Sequence, residues 1–121
     1  MKIINLTPHA VRVLRPDGEL AFAISPSGAV ARVTTDTLPI GTVAGAVVSV
    51  TIPGRVAGLP DATLGTVLLV SLAVRAAVPT RADVLSPGEL VRDAAGQPIG
   101  CRGLAANPGW LGGHHMLEGA A

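Results

Sequence analysis

The chain has 121 residues, of which 49% are hydrophobic and 14% are charged, and its formal net charge is +1. This composition excludes a disordered chain, which would be less apolar and more charged. It also excludes a strong overall positive field that would attract nucleic acid. The length fits one domain, and the near absence of aromatic residues means that its core must be aliphatic.

Two further features concern the cellular compartment. Cys101 is the only cysteine, so an intrachain disulfide is impossible, which fits a reducing environment. The longest apolar run, residues 67–70 with a looser extension to 74, is too short to span a bilayer. The N-terminus has no signal-peptide core, and we therefore expect a soluble, cytoplasmic protein.

The first third of the chain predicts strands. Fifteen glycines and ten prolines, about one residue in five, recur along the chain between apolar segments, which is typical of short strands joined by turns. Residues 3–6 are predicted to form the first strand. Residues 11–24 are predicted to form a hairpin, because Pro-Asp-Gly at positions 16–18 is a strong turn sequence between two alternating segments.

The middle of the chain alternates between predicted strands and predicted loops. Strands are expected over residues 29–35 and 42–52, which are rich in β-branched side chains. Residues 36–41 and 57–64 are expected to be loops.

The following segment predicts the best core strand and the one helix. Residues 66–70 are continuously apolar or β-branched after Gly65, as in a strand buried on both faces. A short helix is expected near residues 71–78, with Ser71 as its N-cap and Pro79 after its end.

The last part predicts short strands on either side of Pro87-Gly88, a turn at residues 93–96 and a strand over 98–104. The predicted fold is therefore a single compact, β-rich α+β domain over residues 1–104. It consists of short antiparallel strands and hairpins with the one helix, and residues 105–121 form a C-terminal tail. The short strand edges and small core suggest a homo-oligomer.

Arginine is the conspicuous basic residue, since Lys2 is the only lysine and the other eight basic residues are arginines. A GC-rich coding sequence would explain this bias without any function. The guanidinium group is nevertheless suited to bidentate capture of phosphate or carboxylate. The predicted ligand-binding residues are Asn5, His9, Arg81, Arg92 and Arg102.

Each of these residues also has a structural interpretation. Arg81 and Arg92 lie close in sequence to Asp83 and Asp93, so ion pairs would account for both arginines. His9, which follows a proline, could equally be a polar residue that stabilises the N-terminal bend.

The chain shows no pattern typical of catalysis or metal binding. Cys101, His9, His114 and His115 lack the spacing of zinc ligands. Ser71 lacks the flanking glycines of a nucleophile elbow. We therefore predict no catalytic residue, no metal and no cofactor.

Two sets of motifs suggest a family. One is Ile4-Asn5-Leu6-Thr7-Pro8-His9-Ala10. The other combines Gly65-Thr66, Val70-Ser71, Pro79-x-Arg81-x-Asp83, Pro87, Val91-Arg92-Asp93, Gly96 and Ile99-Gly100-Cys101. Together they resemble a family of small uncharacterised proteins of bacteriophages, prophages and bacterial genomes that begin with Asn-Leu-Thr-Pro-His. The resemblance covers about residues 3–104 and implies a phage-linked context, but no particular activity.

The favoured function is therefore binding rather than catalysis. By analogy with small phage proteins that counter host defence, we expect the protein to sequester a phosphorylated or nucleotide-derived signal. One alternative is a small hydrolase or lyase that acts on the same ligand class, with His9 as acid or base. Another is a structural or assembly protein of a phage particle. The expected partners are an anionic small molecule and further copies of the chain, without nucleic acid or membrane.

Overall fold

The computed structural model describes residues 1–110. It confirms a β-rich fold with one short helix and antiparallel hairpins. The elements are β1 (Lys2–Asn5), β2 (Val11–Leu14), β3 (Leu20–Ile24), β4 (Arg32–Val43), β5 (Ala46–Ala57), β6 (Thr66–Leu69), α1 (Leu72–Ala77), β7 (Val84–Arg92) and β8 (Pro98–Ala106).

Six of the strands form one mixed sheet in the order β1-β6-β7-β8-β2-β3. The predicted hairpin of residues 11–24 is present as the antiparallel pair β2–β3. Three pairs, β1–β6, β6–β7 and β2–β8, are parallel, which the local sequence patterns did not predict. Parallel strands need a long crossover connection, and α1 lies within the crossover between β6 and β7.

The sheet curls around one of its two hydrophobic clusters. This cluster takes side chains from all six strands, among them Ile3, Val67, Leu85, Cys101, Val13 and Phe22. The edge strands β1 and β3 are joined at one end, where Asn5 Nδ2 donates to the carbonyl of Ile24 at 3.1 Å. The two edge strands therefore lie close together at this end of the sheet, and the cluster that the sheet surrounds is mainly aliphatic.

A second hydrophobic cluster lies beneath α1. Val70, Val74 and Val84 are almost completely buried there, and Val33 and Val56 of the second sheet pack against them. The helix thus covers the outer side of the central strands and holds the base of the β4–β5 hairpin.

Ser71 begins the helix as predicted, since its side-chain oxygen accepts from the backbone N–H of Val74 at 3.3 Å. We expect Ser71→Ala to lower the free energy of unfolding by about 1 kcal/mol, the usual loss for an N-cap hydroxyl. Urea denaturation followed by circular dichroism would measure it. Ser49→Ala, at an exposed position of β5, should change stability by less than about 0.5 kcal/mol. Equal stabilities of the two variants would contradict the capping role.

The largest departure from the sequence prediction is the β4–β5 hairpin, which we call the arm. The loop predicted at residues 36–41 is wrong, because β4 runs without interruption from Arg32 to Val43. Its antiparallel partner β5 pairs with it along this length, and a bulge at Ile40 follows Pro39. The turn residues Ala44 and Gly45 both have positive φ angles, 51° and 83°, as a tight hairpin turn requires.

Two other boundaries differ from the prediction. Residues 84–92 form one strand that passes through Pro87, rather than two strands around it. Strand β8 continues to Ala106, and Asn107 is buried, so the folded part extends beyond residue 104 to at least Trp110. The remainder of the predicted tail, with His114 and His115, lies outside the described residues. Within residues 1–110, no helix is both long and apolar enough to cross a membrane.

Candidate ligand-binding groove

The side chain of Asn5 stabilises the N-terminal bend, the segment between β1 and β2. Its side chain is 1% exposed, and Nδ2 donates to the carbonyls of His9 at 2.8 Å and Ile24 at 3.1 Å. Its Oδ1 accepts from the backbone N–H of Thr7 at 2.9 Å, and the Thr7 hydroxyl lies 2.7 Å away. These contacts use the donors and acceptors that an amide offers, so Asn5 has none to spare for a ligand.

His9 takes part in this bend through its backbone. Its carbonyl accepts from Asn5 Nδ2, and the Thr7 hydroxyl lies 2.9 Å from the same oxygen. The residue itself is exposed. The imidazole is thus accessible, while the backbone of His9 has a structural role.

Arg81 forms a bidentate ion pair with Asp83. Nε donates to Oδ1 and Nη2 donates to Oδ2, each at 2.8 Å, and Nη2 also donates to the carbonyl of Pro60 at 2.9 Å. The hydrogen bonds from Arg81 lower the pKa of Asp83 below its ordinary value, although burial opposes them. The structural interpretation of Arg81, as a partner of Asp83, is therefore present in the fold.

Arg75, in the last turn of α1, also uses its guanidinium group for hydrogen bonds within the fold. Its Nε donates to the Ser86 hydroxyl at 2.8 Å, and its Nη1 donates to Asn107 Oδ1 at 3.3 Å. Asn107 in turn donates to the carbonyls of Val78 at 2.8 Å and Arg81 at 3.2 Å. Arg75 thus joins α1 to β7 and, through Asn107, to the end of β8.

Arg92 and Arg102 are exposed and lie elsewhere. Arg92 Nη1 donates to the carbonyl of Gly96 at 2.9 Å, while Asp93 accepts from the backbone N–H groups of its own turn. Arg102 lies opposite Leu14 of β2 and Glu89 of β7.

The predicted arginines do not converge within one chain. Arg81 precedes the first residue of β7 and Arg92 is its last residue. At about 3.3 Å per residue, β7 spans about 25 Å. A small ligand could therefore contact Arg92 or Arg81 of one chain, but not both.

The structure instead brings Arg12 close to the Arg92 end of the sheet. Strands β2 and β8 pair only at Val13–Cys101 and Leu14–Arg102, so they diverge before these residues. A groove of about 260 Å³ opens there, lined mainly by apolar residues that include Val11, Leu90, Pro98, Ile99 and Cys101. Arg12 also lines it, and its Nε donates to the carbonyl of Ile99 at 3.3 Å.

Arg92 lies next to this groove in the strand register, because it is paired with Pro98. Arg102 is one residue beyond Cys101, and Arg12 is one residue before Val13, the partner of Cys101, so strand alternation directs both arginines to the face opposite Cys101. Arg102 is not among the residues that line the groove. Sequence reasoning missed Arg12 as a site residue. Arg12 lies beside the groove because β2 pairs in parallel with β8, and no local sequence pattern indicates this pairing.

A second depression of about 430 Å³ lies between the edge strands β1 and β3, beside Lys2, Ile4 and Ser27. Asn5 lines it, but the side chain of Asn5 is already satisfied. Both places thus have a cation beside them, but the groove beside Arg12 offers a guanidinium group, which can bind a phosphate or carboxylate in bidentate form. Among residues 1–110, no three histidine, cysteine or acidic side chains lie together as metal ligands would.

Comparison with known proteins finds no family model, no curated protein and no solved structure that matches this chain. The family resemblance drawn from the Asn-Leu-Thr-Pro-His start stays a prediction.

Proposed function

We propose that the protein binds, without turnover, a small anionic molecule that also has an apolar portion. A phosphorylated or nucleotide-derived compound fits this description. The observation that carries the proposal is the groove between β2 and β8, where an exposed arginine adjoins an apolar lining. Sequestration of a host-defence signal in the cytoplasm belongs to the same proposal by analogy with small phage proteins that counter host defence, and the motif resemblance bears only on the phage-linked context.

The size of the groove indicates which part of the ligand it would hold. Small-molecule sites usually measure about 300–1,000 Å³, and this groove is slightly smaller, at about 260 Å³. It would therefore accept one apolar ring. The anionic group would stay at the rim, where the guanidinium of Arg12 can form charged hydrogen bonds.

The proposal predicts that Arg12→Ala and Arg92→Ala each weaken ligand binding by about 1.5–3 kcal/mol, or roughly tenfold or more, because a charged hydrogen bond is lost. Arg12→Lys should restore little of this, since a lysine lacks the planar fork. Calorimetric titration with a panel of nucleoside phosphates and cyclic dinucleotides would measure the effect. Folding stability should hardly change, because both arginines are exposed.

Two arginines serve as controls. Arg55 is exposed on the arm, away from the groove, and Arg55→Ala should leave binding unchanged. Arg102 lies outside the residues that line the groove, so Arg102→Ala tests the extent of the site. A greater loss with Arg102→Ala than with Arg12→Ala would place the ligand elsewhere on β8 and contradict the groove.

The same titrations separate binding from the hydrolase or lyase alternative, in which the exposed His9 acts as acid or base. After incubation and denaturation of the protein, intact recovered ligand supports binding. Cleaved ligand that disappears with His9→Ala would establish the enzyme instead.

A second candidate function, assembly, is favoured by a separate observation. The arm presents several exposed apolar side chains, among them Leu38, Ile40, Val43 and Val47. A structural or assembly protein would use such a surface to contact other subunits.

A further inference from the structure

The two faces of the arm differ in chemistry. Strand register places on one side a set of side chains that we call the apolar face: Leu38, Val43, Val48, Val50 and Ile52. These residues are 38–66% exposed. The opposite side, the hydroxyl face, carries Thr35, Thr37, Thr42, Ser49 and Thr51, together with Pro39 and the exposed Val47. Most of the apolar side chains of the arm are therefore concentrated on one face, which is the face better suited to being covered.

The arm has little support from its own chain. Val33 and Val56, at the base of the arm, pack against the second hydrophobic cluster. An isolated two-stranded hairpin is marginally stable in water, and a hydrophobic face needs a further layer or further strands. The outer part of the arm therefore gains most from a partner that covers its apolar face.

The edges of the arm are less suited to contact with a partner than its apolar face is. Pro39 in β4 and Pro53 in β5 cannot donate backbone hydrogen bonds, and the bulge at Ile40 interrupts the edge of β4. Such features oppose strand addition along an edge. Contact through the apolar face remains the better solution.

The charge pattern indicates which partner fits. The 18 residues 37–54 contain no charged side chain, so the outer part of the arm has no charge with which to select a charged partner. An identical apolar face needs no complementary charge, and one self-complementary patch is sufficient for a two-fold dimer.

We propose that the apolar faces of the arms of two copies of this chain pack against each other, with the arms antiparallel. Asp36 lies on the same face, opposite Ile52. Antiparallel packing places each Asp36 over the uncharged tip of the other arm, whereas parallel packing would bring the two carboxylates together. This inference rests on the arm alone and is independent of the proposed ligand.

The size of the face sets the expected strength. From Asp36 to Val43, seven residue steps of about 3.3 Å, the face is about 23 Å long, and two strands make it about 10 Å wide. Each copy would thus cover roughly 230 Å² in projection, which is well below the roughly 800 Å² per partner of a standard interface and fits a weak, transient contact. We therefore expect a weak, reversible dimer.

A matched pair of substitutions tests the proposal. Val50→Asp places a charge on the apolar face, and Ser49→Asp places the same charge on the hydroxyl face one residue away. In sedimentation velocity over about 1–200 µM, a range that detects micromolar dissociation constants, we expect association that increases with concentration for the wild type and for Ser49→Asp. We expect monomers for Val50→Asp. Circular dichroism and melting temperature would show that each variant is folded.

A wild-type monomer throughout this range would overturn the proposal and leave the face to a different protein. Equal association of the two variants would also overturn it. If Val50→Asp does not fold, disulfide cross-linking replaces it. Val50→Cys should then form cross-linked dimers under mild oxidation and Ser49→Cys should not, whereas equal cross-linking of the two variants contradicts packing through the apolar face.

Discussion

Replacement of Asn5 by alanine should lower the free energy of unfolding by about 3–4 kcal/mol, because several buried hydrogen bonds are lost together. The amide holds the carbonyls of His9 and Ile24 and the backbone N–H of Thr7. It also joins β1 to β3, so its loss frees the two edges of the curled sheet. Urea denaturation followed by circular dichroism would measure the change.

Two variants define what this result means. Asn5→Asp keeps an acceptor for Thr7 but turns carboxylate oxygens toward two carbonyls, so it should be nearly as destabilising at neutral pH. Ser27→Ala removes an exposed hydroxyl that contacts only Ala29 locally, and it should cost less than about 0.5 kcal/mol. A loss below about 1 kcal/mol for Asn5→Ala would show that the bend is held by other contacts.

Arg81→Ala should lower the free energy of unfolding by about 2–4 kcal/mol, because it leaves the carboxylate of Asp83 without its partner. The side chain of Asp83 is 7% exposed and that of Arg81 is 25% exposed. Water that enters the space left by Arg81 will screen part of the charge, so we expect the lower half of this range. A double-mutant cycle with Asp83→Asn would give the coupling between the two residues, and a coupling near zero would contradict the pairing.

The same pair predicts a pH dependence. The hydrogen bonds from Arg81 hold the folded-state pKa of Asp83 below the unfolded value of about 3.9. The folded protein therefore binds fewer protons than the unfolded chain between these two pKa values, and its stability falls as the pH is lowered through this window. The contribution is fully present above about pH 5 and is lost as the pH falls through the folded-state pKa.

Denaturation at a series of pH values would check this dependence. The stability difference between the wild type and Asp83→Asn should shrink progressively below about pH 4, because Asp83 becomes protonated first in the unfolded chain and only at lower pH in the folded protein. A difference that stays constant down to the lowest pH at which both proteins fold would contradict a charged Asp83 in the folded state.

Several parts of the fold were predictable because their causes are local. The turn between β2 and β3 follows from Pro16, Asp17 and Gly18, which favour a tight turn by their own backbone preferences. The start of α1 follows from Ser71, whose hydroxyl reaches a backbone N–H three residues away. The aliphatic core follows from composition, since the chain contains few aromatic residues.

The candidate site was less predictable, because it depends on which strands become neighbours. Residue type alone marked Arg81 and Arg92 as possible anion ligands. The guanidinium group of Arg81 is already paired with Asp83, and the length of β7 separates Arg81 from Arg92. Arg12 enters the groove only because β2 pairs with β8, about 90 residues later in the chain.

The sequence by itself determined the local features: the β-rich class, the hairpin over residues 11–24 and the helix that starts after Ser71. Only the tertiary structure decided the parallel strand order, the continuous arm and the roles of Asn5 and the arginines. Local preferences act over three or four residues, and periodicity reports which face of a strand is apolar. Neither reports the distant partner against which that strand pairs, and this pairing decides whether a polar side chain is buried and satisfied or exposed beside a groove.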